Sequence, residues 1–274
     1  MTNFICIENT GYGADEFTIG SGGEFVPSRD EMYANTSMPM CWAGFFKPQW
    51  LEICKKHNLK FYNLDSGYFG NVKKKIYFRV SVNEFQITCP IIKRPVDRWG
   101  ELKIKLESFK RGSYIIIVPP DRKIVHALGL GSEDAWIENV MTEVKTYSDR
   151  PIKIRKRPEV RADRVITNTF KDFIKDDTYC VIGHQSNALV EAVMCDIPVI
   201  SLGNSSTKAV YNKDISKIEQ LEVISDDEKY EWLNHLSYSQ FTKEELQSGF
   251  AWDIVSNLPI PLSEYDPNHG DILL

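Results

Sequence analysis

Cys180-Val-Ile-Gly-His-Gln-Ser-Asn-Ala-Leu-Val-Glu-Ala-Val-Met-Cys-Asp-Ile-Pro-Val-Ile-Ser-Leu-Gly203 reads as buried strand, polar turn, helix and buried strand. Its polar residues, Gly183, His184, Gln185, Ser186 and Asn187, fall where the first strand ends and the helix begins. In open α/β sheets that junction holds nucleotides, because helix N–H groups and the helix dipole face an anion there. Ser186 and Asn187 are small side chains suited to a helix start. Glu191 lies four residues beyond Asn187, one turn along the same face. Small donors at a phosphate with a carboxylate one turn deeper suit a nucleotide diphosphate and its ribose. An ordinary βαβ unit gives the same pattern, with Ser186 only a cap and Glu191 only a solvated residue.

Ser186-Asn187, then Glu191-Ala192, then Asp196-Ile-Pro-Val-Ile200 resembles the donor-binding region of GT-B glycosyltransferases. The resemblance spans about residues 114–255. It implies two Rossmann-type α/β domains with a cleft between them, the Ser/Asn turn on the diphosphate and Glu191 on the ribose hydroxyls. Asp196 stands where that family usually has glycine. Arg155 closes a short strand, Pro151-Ile-Lys-Ile-Arg155, and a guanidinium there can meet a diphosphate bidentately. The resemblance assigns it that role, whereas Lys156, Arg157, Arg161 and Arg164 read as an exposed loop. Ser237 to Trp252, with Trp136 and the Arg155 region, looks like compact glycosyltransferases encoded by phages.

The 274 residues, 42% hydrophobic and 26% charged, suffice for one large or two smaller cores. No apolar run approaches the ~20 residues of a membrane helix. The start, Met-Thr-Asn-Phe-Ile-Cys-Ile-Glu, does not resemble a signal peptide. Six cysteines without Cys-x-x-Cys spacing read as reduced, mostly buried thiols of a cytoplasmic protein, in host cytoplasm if phage-encoded. The net charge of -5 is uneven. Residues 46–125 hold 17 Lys and Arg against 7 Asp and Glu, which leaves 16 and 31 elsewhere from totals of 33 and 38. Such a block bears on partners or on solvated faces, not on fold.

Apolar runs place strands at 4–7, 59–64, 76–82, 113–119, 151–155, 179–182 and 199–202. Helical patterns cover 48–56, 133–146, 165–174 and 229–236, the last capped by Asp226-Asp227-Glu228. Thr242 with Glu245 spells a capping box for a final helix laid across the domain junction. Alternating strands and helices in the second half predict a parallel sheet covered on both faces, while 77–88 allows antiparallel pairing. The charge reversal sets the expected boundary: 1–125 for the acceptor, 126–274 for the nucleotide sugar. Residues 259–274 read as a loose tail.

Asp65 closes a strand and opens Asp-Ser-Gly-Tyr-Phe-Gly70, a setting that suits a general base. Asp15, in the turn after the first strand, is the rival, and His184 faces the same side. Gly203-Asn204-Ser205 follows a strand and reads equally as a donor contact or a plain turn. No Asp-x-Asp follows a buried strand, so no metal is expected; no Gly-x-x-x-x-Gly-Lys-Ser/Thr or Gly-x-Gly-x-x-Gly signature appears.

The leading expectation is a metal-independent hexosyl- or pentosyltransferase without cofactor, using a nucleotide sugar, UDP-linked by preference. Its acceptor is a hydroxyl, foremost a 5-hydroxymethylpyrimidine in double-stranded DNA. For DNA, Lys73, Lys74, Lys75, Lys93, Arg94 and Arg98 would meet phosphates, and Tyr68 and Phe69 would stack on a flipped base. A surface glycan is the alternative acceptor, and a non-catalytic nucleotide-sugar- or DNA-binding module the alternative class. A monomer is expected rather than an oligomer.

Overall fold

The computed structural model describes residues 3–8, 11–44, 48–71, 76–157, 169–211 and 213–258. The described residues divide into two compact units, the first running to Ile104 and resuming at Leu233, the second Lys105–Trp232. In chain order the strands are β1 (Ile5–Ile7), β2 (Glu24–Val26), β3 (Met40–Ala43), β4 (Phe61–Ser66), β5 (Phe78–Val82), β6 (Tyr114–Val118), β7 (Ile152–Ile154), β8 (Thr178–Gly183), β9 (Val199–Ser201) and β10 (Gln240–Phe241).

The first unit carries a sheet of order β10-β5-β4-β3-β1-β2. Strands β1 to β4 run parallel; β5 runs against β4, and β10 against β5. The antiparallel pairing allowed for 77–88 is thus present. Helix α1 (Ala14–Gly20) leaves β1 through Gly11 and Gly13, both at positive φ. A Cβ on Gly13 would come within 2.4 Å of Leu246, so glycine there admits both the turn and the packing. Trp42, Phe61, Met40 and Trp50 fill one face of the sheet.

The second unit carries a four-stranded parallel sheet of order β7-β6-β8-β9. Ile115, Ile116, Ile117, Cys180, Val181 and Ile182 are all buried, the unbroken apolar run of strands covered on both faces. Helix α6 (Glu133–Tyr147) starts on the Ser132 cap, and Trp136, Val140 and Val144 join the core. Helix α8 (Asn187–Val193) follows β8. It ends in a turn where Asp196 holds φ +60°, a left-handed conformation that glycine adopts most easily. The resemblance had glycine at this position; here the Asp196 carboxylate takes the buried Lys229 ammonium instead.

Several expectations shift. The boundary falls at 104/105 rather than 125/126, because β6 is a central strand of the second sheet. Residues from Leu233 belong with the first unit, where β10 pairs with β5 and Thr242 and Glu245 form their capping box. Asp226-Asp227-Glu228 is the first turn of helix α9 (Asp226–Ser237), with Ser225 Oγ accepting from Glu228 N at 3.2 Å. The helix expected from Val165 is described at Phe170–Ile174, behind a Thr169–Asp172 capping box; 165–168 and the tail 259–274 lie outside the described residues. All six cysteines are free thiols, five of them buried.

Candidate functional site

In the second sheet β6 comes first in the chain and lies between β7 and β8. The connection from β6 to β7 goes one way, and the chain then crosses to β8 on the other side. This reversal is a topological switch point, and the crevice outside the carboxyl ends of β6 and β8 is where open α/β sheets take ligands. Gly183 stands opposite Val118 at the last rung of those strands. A Cβ on Gly183 would lie 3.3 Å from Val118 O and 3.2 Å from Leu189 Cδ2, so only glycine fits without a shift.

His184, Gln185 and Ser186 leave β8 at this switch point. Ser186 caps α8, its hydroxyl accepting from Ala188 N at 3.2 Å, and Asn187 is the first helical residue. Gln185, Ser186 and Asn187 are half-buried. One turn on, the half-buried Glu191 carboxylate receives no hydrogen bond among the described residues. Burial raises its pKa, and Lys171 opposes that rise. A partly desolvated carboxylate gains from a hydroxyl donor, as a ribose offers.

The turn after β9 is tied to the turn after β8. Leu202 N donates to Gly183 O at 2.8 Å, Gly203 N to His184 O at 3.1 Å, and Ser201 Oγ to His184 O at 2.8 Å. The His184 ring packs against Gly203, where a Cβ would meet it at 2.3 Å. The imidazole is 2% exposed, and neither ring nitrogen has a hydrogen-bond partner among the described residues. Burial first, and the Lys208 charge second, lower its pKa to about 4. It is neutral near pH 7. Ser205 caps a 3-10 helix, Ser206–Ala209, accepting from Thr207 N at 3.3 Å. Asn204 Oδ1 accepts from Lys208 Nζ at 2.7 Å.

Arg155 continues the β7 ladder, its N–H on Ile117 O at 2.9 Å, and its guanidinium lies over Phe173 at 5.2 Å. Lys156 pairs with Glu133 and Asp134, and Arg157 with Asp121, in line with an exposed loop. Arg161 and Arg164 lie outside the described residues.

In the first unit the strand order repeats the same switch, now between β1 and β3. Asp15 lies in the first turn of α1, directly after β1. Asp65 is engaged otherwise: Arg79 Nη2 meets its Oδ2 at 3.0 Å, and Ser66 N its Oδ1 at 2.7 Å. Its carboxylate is thus the counter-ion of a buried guanidinium.

The expected stacking platform is closed. Tyr68 and Phe69 are 4% and 7% exposed. Tyr68 Oη accepts from Ile87 N at 2.8 Å, and Phe69 meets Trp99 edge-on at 5.1 Å. Gln240 Oε1 takes both their backbone N–H groups. Arg98 is likewise committed, to Ser237 O, Gln240 O and the Glu245 carboxylate. It cannot neutralise a phosphate while holding them. Arg94 lies over the Tyr238 ring at 5.3 Å, and Lys93 is exposed. Lys73, Lys74 and Lys75 lie outside the described residues. No described helix is long and apolar enough to cross a membrane.

No protein-family model and no curated protein sequence matches the chain. Among solved structures it is similar to Thermosulfurimonas dismutans KpsC, beta Kdo 2,4 transferase, with 11% identity and a TM-score of 0.49 over 88% of this chain and 92% of that chain. It is also similar to the beta Kdo 2,7 transferase of the same KpsC, with 11% identity and a TM-score of 0.46 over 91% and 98%. Neither likeness identifies a reaction.

Proposed function

We propose that this chain is a GT-B-type glycosyltransferase that moves a hexosyl or pentosyl group from a nucleotide-diphosphate sugar to a hydroxyl, without a metal. The observation that carries the reading is the switch point between β6 and β8. There Gln185, Ser186 and Asn187 leave the strand together, and Glu191 offers a half-buried carboxylate, unbonded among the described residues, one turn further on. Phosphate against the turn and ribose against Glu191 satisfy both the anion-binding strand exit and the desolvated carboxylate. The sheet of the first unit, parallel over β1 to β4 and with the same strand-order reversal, supports the two-Rossmann reading. The general base falls to Asp15, since Asp65 is paired with Arg79 and His184 is buried.

A saccharide hydroxyl is the favoured acceptor. The residues anticipated for a flipped base, Tyr68 and Phe69, are packed inside the first unit, and Arg98 is bonded there. Melting temperature measured against a panel of UDP-, GDP- and CMP-linked sugars identifies the donor. Labelled-sugar transfer is then assayed with oligosaccharide, hydroxymethylated DNA and unmodified DNA. Transfer to oligosaccharide supports the reading, and transfer to hydroxymethylated DNA restores the nucleic-acid acceptor. Binding without transfer points to a non-catalytic module. No shift with any nucleotide sugar removes the donor site altogether.

A further inference from the structure

Two guanidiniums lie over the Tyr238 ring, Arg94 at 5.3 Å and Arg98 at 5.5 Å from its centroid. Arg98 sets both terminal nitrogens on the Glu245 carboxylate. Arg79, the buried arginine of the same unit, has Asp65. Arg94 is half-buried as well, yet it pairs with no carboxylate among the described residues, and its buried Nε has no hydrogen-bond partner there. The Tyr238 ring attracts the cation but does not cancel its charge. We infer that Arg94, seated on Tyr238, is a binding site for an oxyanion, the carboxylate or phosphate of a small ligand. The site stands apart from the donor reading, since every residue it uses belongs to the first unit.

The seat is fixed before any ligand arrives. Tyr238 Oη donates to Asp97 Oδ1 at 2.8 Å, and Arg98 holds Ser237 O and Gln240 O on either side of Tyr238 in the chain. Two residues before Arg94, Ile92 N donates to His235 Nδ1 at 3.3 Å. A ring and backbone already in place lower the ordering cost of binding. The charges also favour an anion. Lys93 is an exposed second cation, and the exposed Asp97 carboxylate is engaged by the Tyr238 hydroxyl. Burial first, and Arg94 second, lower the His235 pKa to about 4, so the buried imidazole is neutral near pH 7. With Nε enclosed, the terminal edge of the Arg94 guanidinium is left for a ligand. Its two parallel N–H bonds match two oxygens of a carboxylate or phosphate. A partly desolvated charge gains from such a partner.

The test follows the Arg94 Nε–H resonance by NMR in the full chain, assigned by its absence from Arg94→Met. Inorganic phosphate, glucuronate, glucose and an unmodified DNA duplex are titrated at low salt, where charge pairing is least screened. Phosphate or glucuronate is expected to shift the signal saturably, and glucose to leave it in place. The more tightly bound of the two anions identifies the source of the oxyanion. By calorimetry, Arg94→Met should weaken that anion about tenfold or more at an unchanged melting temperature. Arg94→Lys should recover only part of the loss, since an ammonium lacks the fork. No movement of the Arg94 signal with either small anion overturns the inference, and so does unchanged affinity in Arg94→Met. A shift with DNA alone also overturns it and returns Arg94 to nucleic-acid phosphates. Failure here leaves the donor site untouched, because the nucleotide-sugar panel reads that site separately.

Discussion

Asp65 and Arg79 face each other as cross-strand partners on β4 and β5, with Oδ2 and Nη2 3.0 Å apart. Arg79 is 6% exposed and also donates to Phe85 O and Ser66 O. The carboxylate that the sequence offers as a base is thus the counter-ion of a buried guanidinium. Asp65→Asn is expected to cost about 1–3 kcal/mol in denaturant unfolding, since the buried charge loses its partner. Its kcat should stay within a few-fold of wild type. Asp15→Asn should do the reverse, lowering kcat roughly a hundredfold with stability and donor affinity kept. A hundredfold loss of kcat in Asp65→Asn at unchanged stability would return the base to Asp65.

Glu191→Ala removes the half-buried carboxylate at the candidate ribose position. Donor KM should rise by the worth of a charged hydrogen bond, about 1.5–3 kcal/mol. The protein should be no less stable, because burial of that carboxylate raises its pKa and so opposes folding in the charged form. An unchanged KM moves the nucleotide elsewhere.

His184 fixes the sign of an acid response. Burial depresses its folded pKa to about 4 from the ordinary 6.5, so the unfolded chain binds a proton in the interval where the folded one does not. The stability from a neutral His184 is complete above about pH 6.5, declines as pH falls toward 4, and is gone below that. The size is about 3 kcal/mol. His184→Gln should therefore lose less stability than wild type between pH 7 and pH 4.5, whatever it costs at pH 7. Parallel pH curves for the two proteins would refute the assignment. His235, also lowered to about 4 by burial and Arg94, adds a similar slope that His184→Gln leaves in place.

Asp196 combines a left-handed backbone with an ion pair to Lys229, whose side chain is 4% exposed. Asp196→Gly relaxes the backbone but, among the described residues, leaves that ammonium with the exposed Asp226 carboxylate alone. The second effect should win, with a net loss of about 1–3 kcal/mol. A higher melting temperature in the glycine variant would show that backbone strain is the larger effect.

Much of the second unit was legible from local pattern. Cys180–Ile182 and Val199–Ser201 are apolar runs too short for helices, and Ser186 before a helical stretch marks its start. Thr242 and Glu245 spell a capping box, which depends on spacing alone. The strand–turn–helix junction of the candidate donor site could be read for the same reason: its residues are contiguous. Only the tertiary structure decided the rest. Charge reversal along the chain placed a boundary inside what became the second unit, because charge reports surface and not which strands pair. Tyr68, Phe69 and Arg98 read as an open basic and aromatic face. They are closed by Gln240 and Glu245, about 140 to 170 residues away. The pairing of Asp65 with Arg79 has a like origin: strand register put a buried cation opposite it. Helix caps and apolar strands are set by neighbours in sequence, whereas the availability of a carboxylate, a ring or an ammonium depends on what folding brings against it.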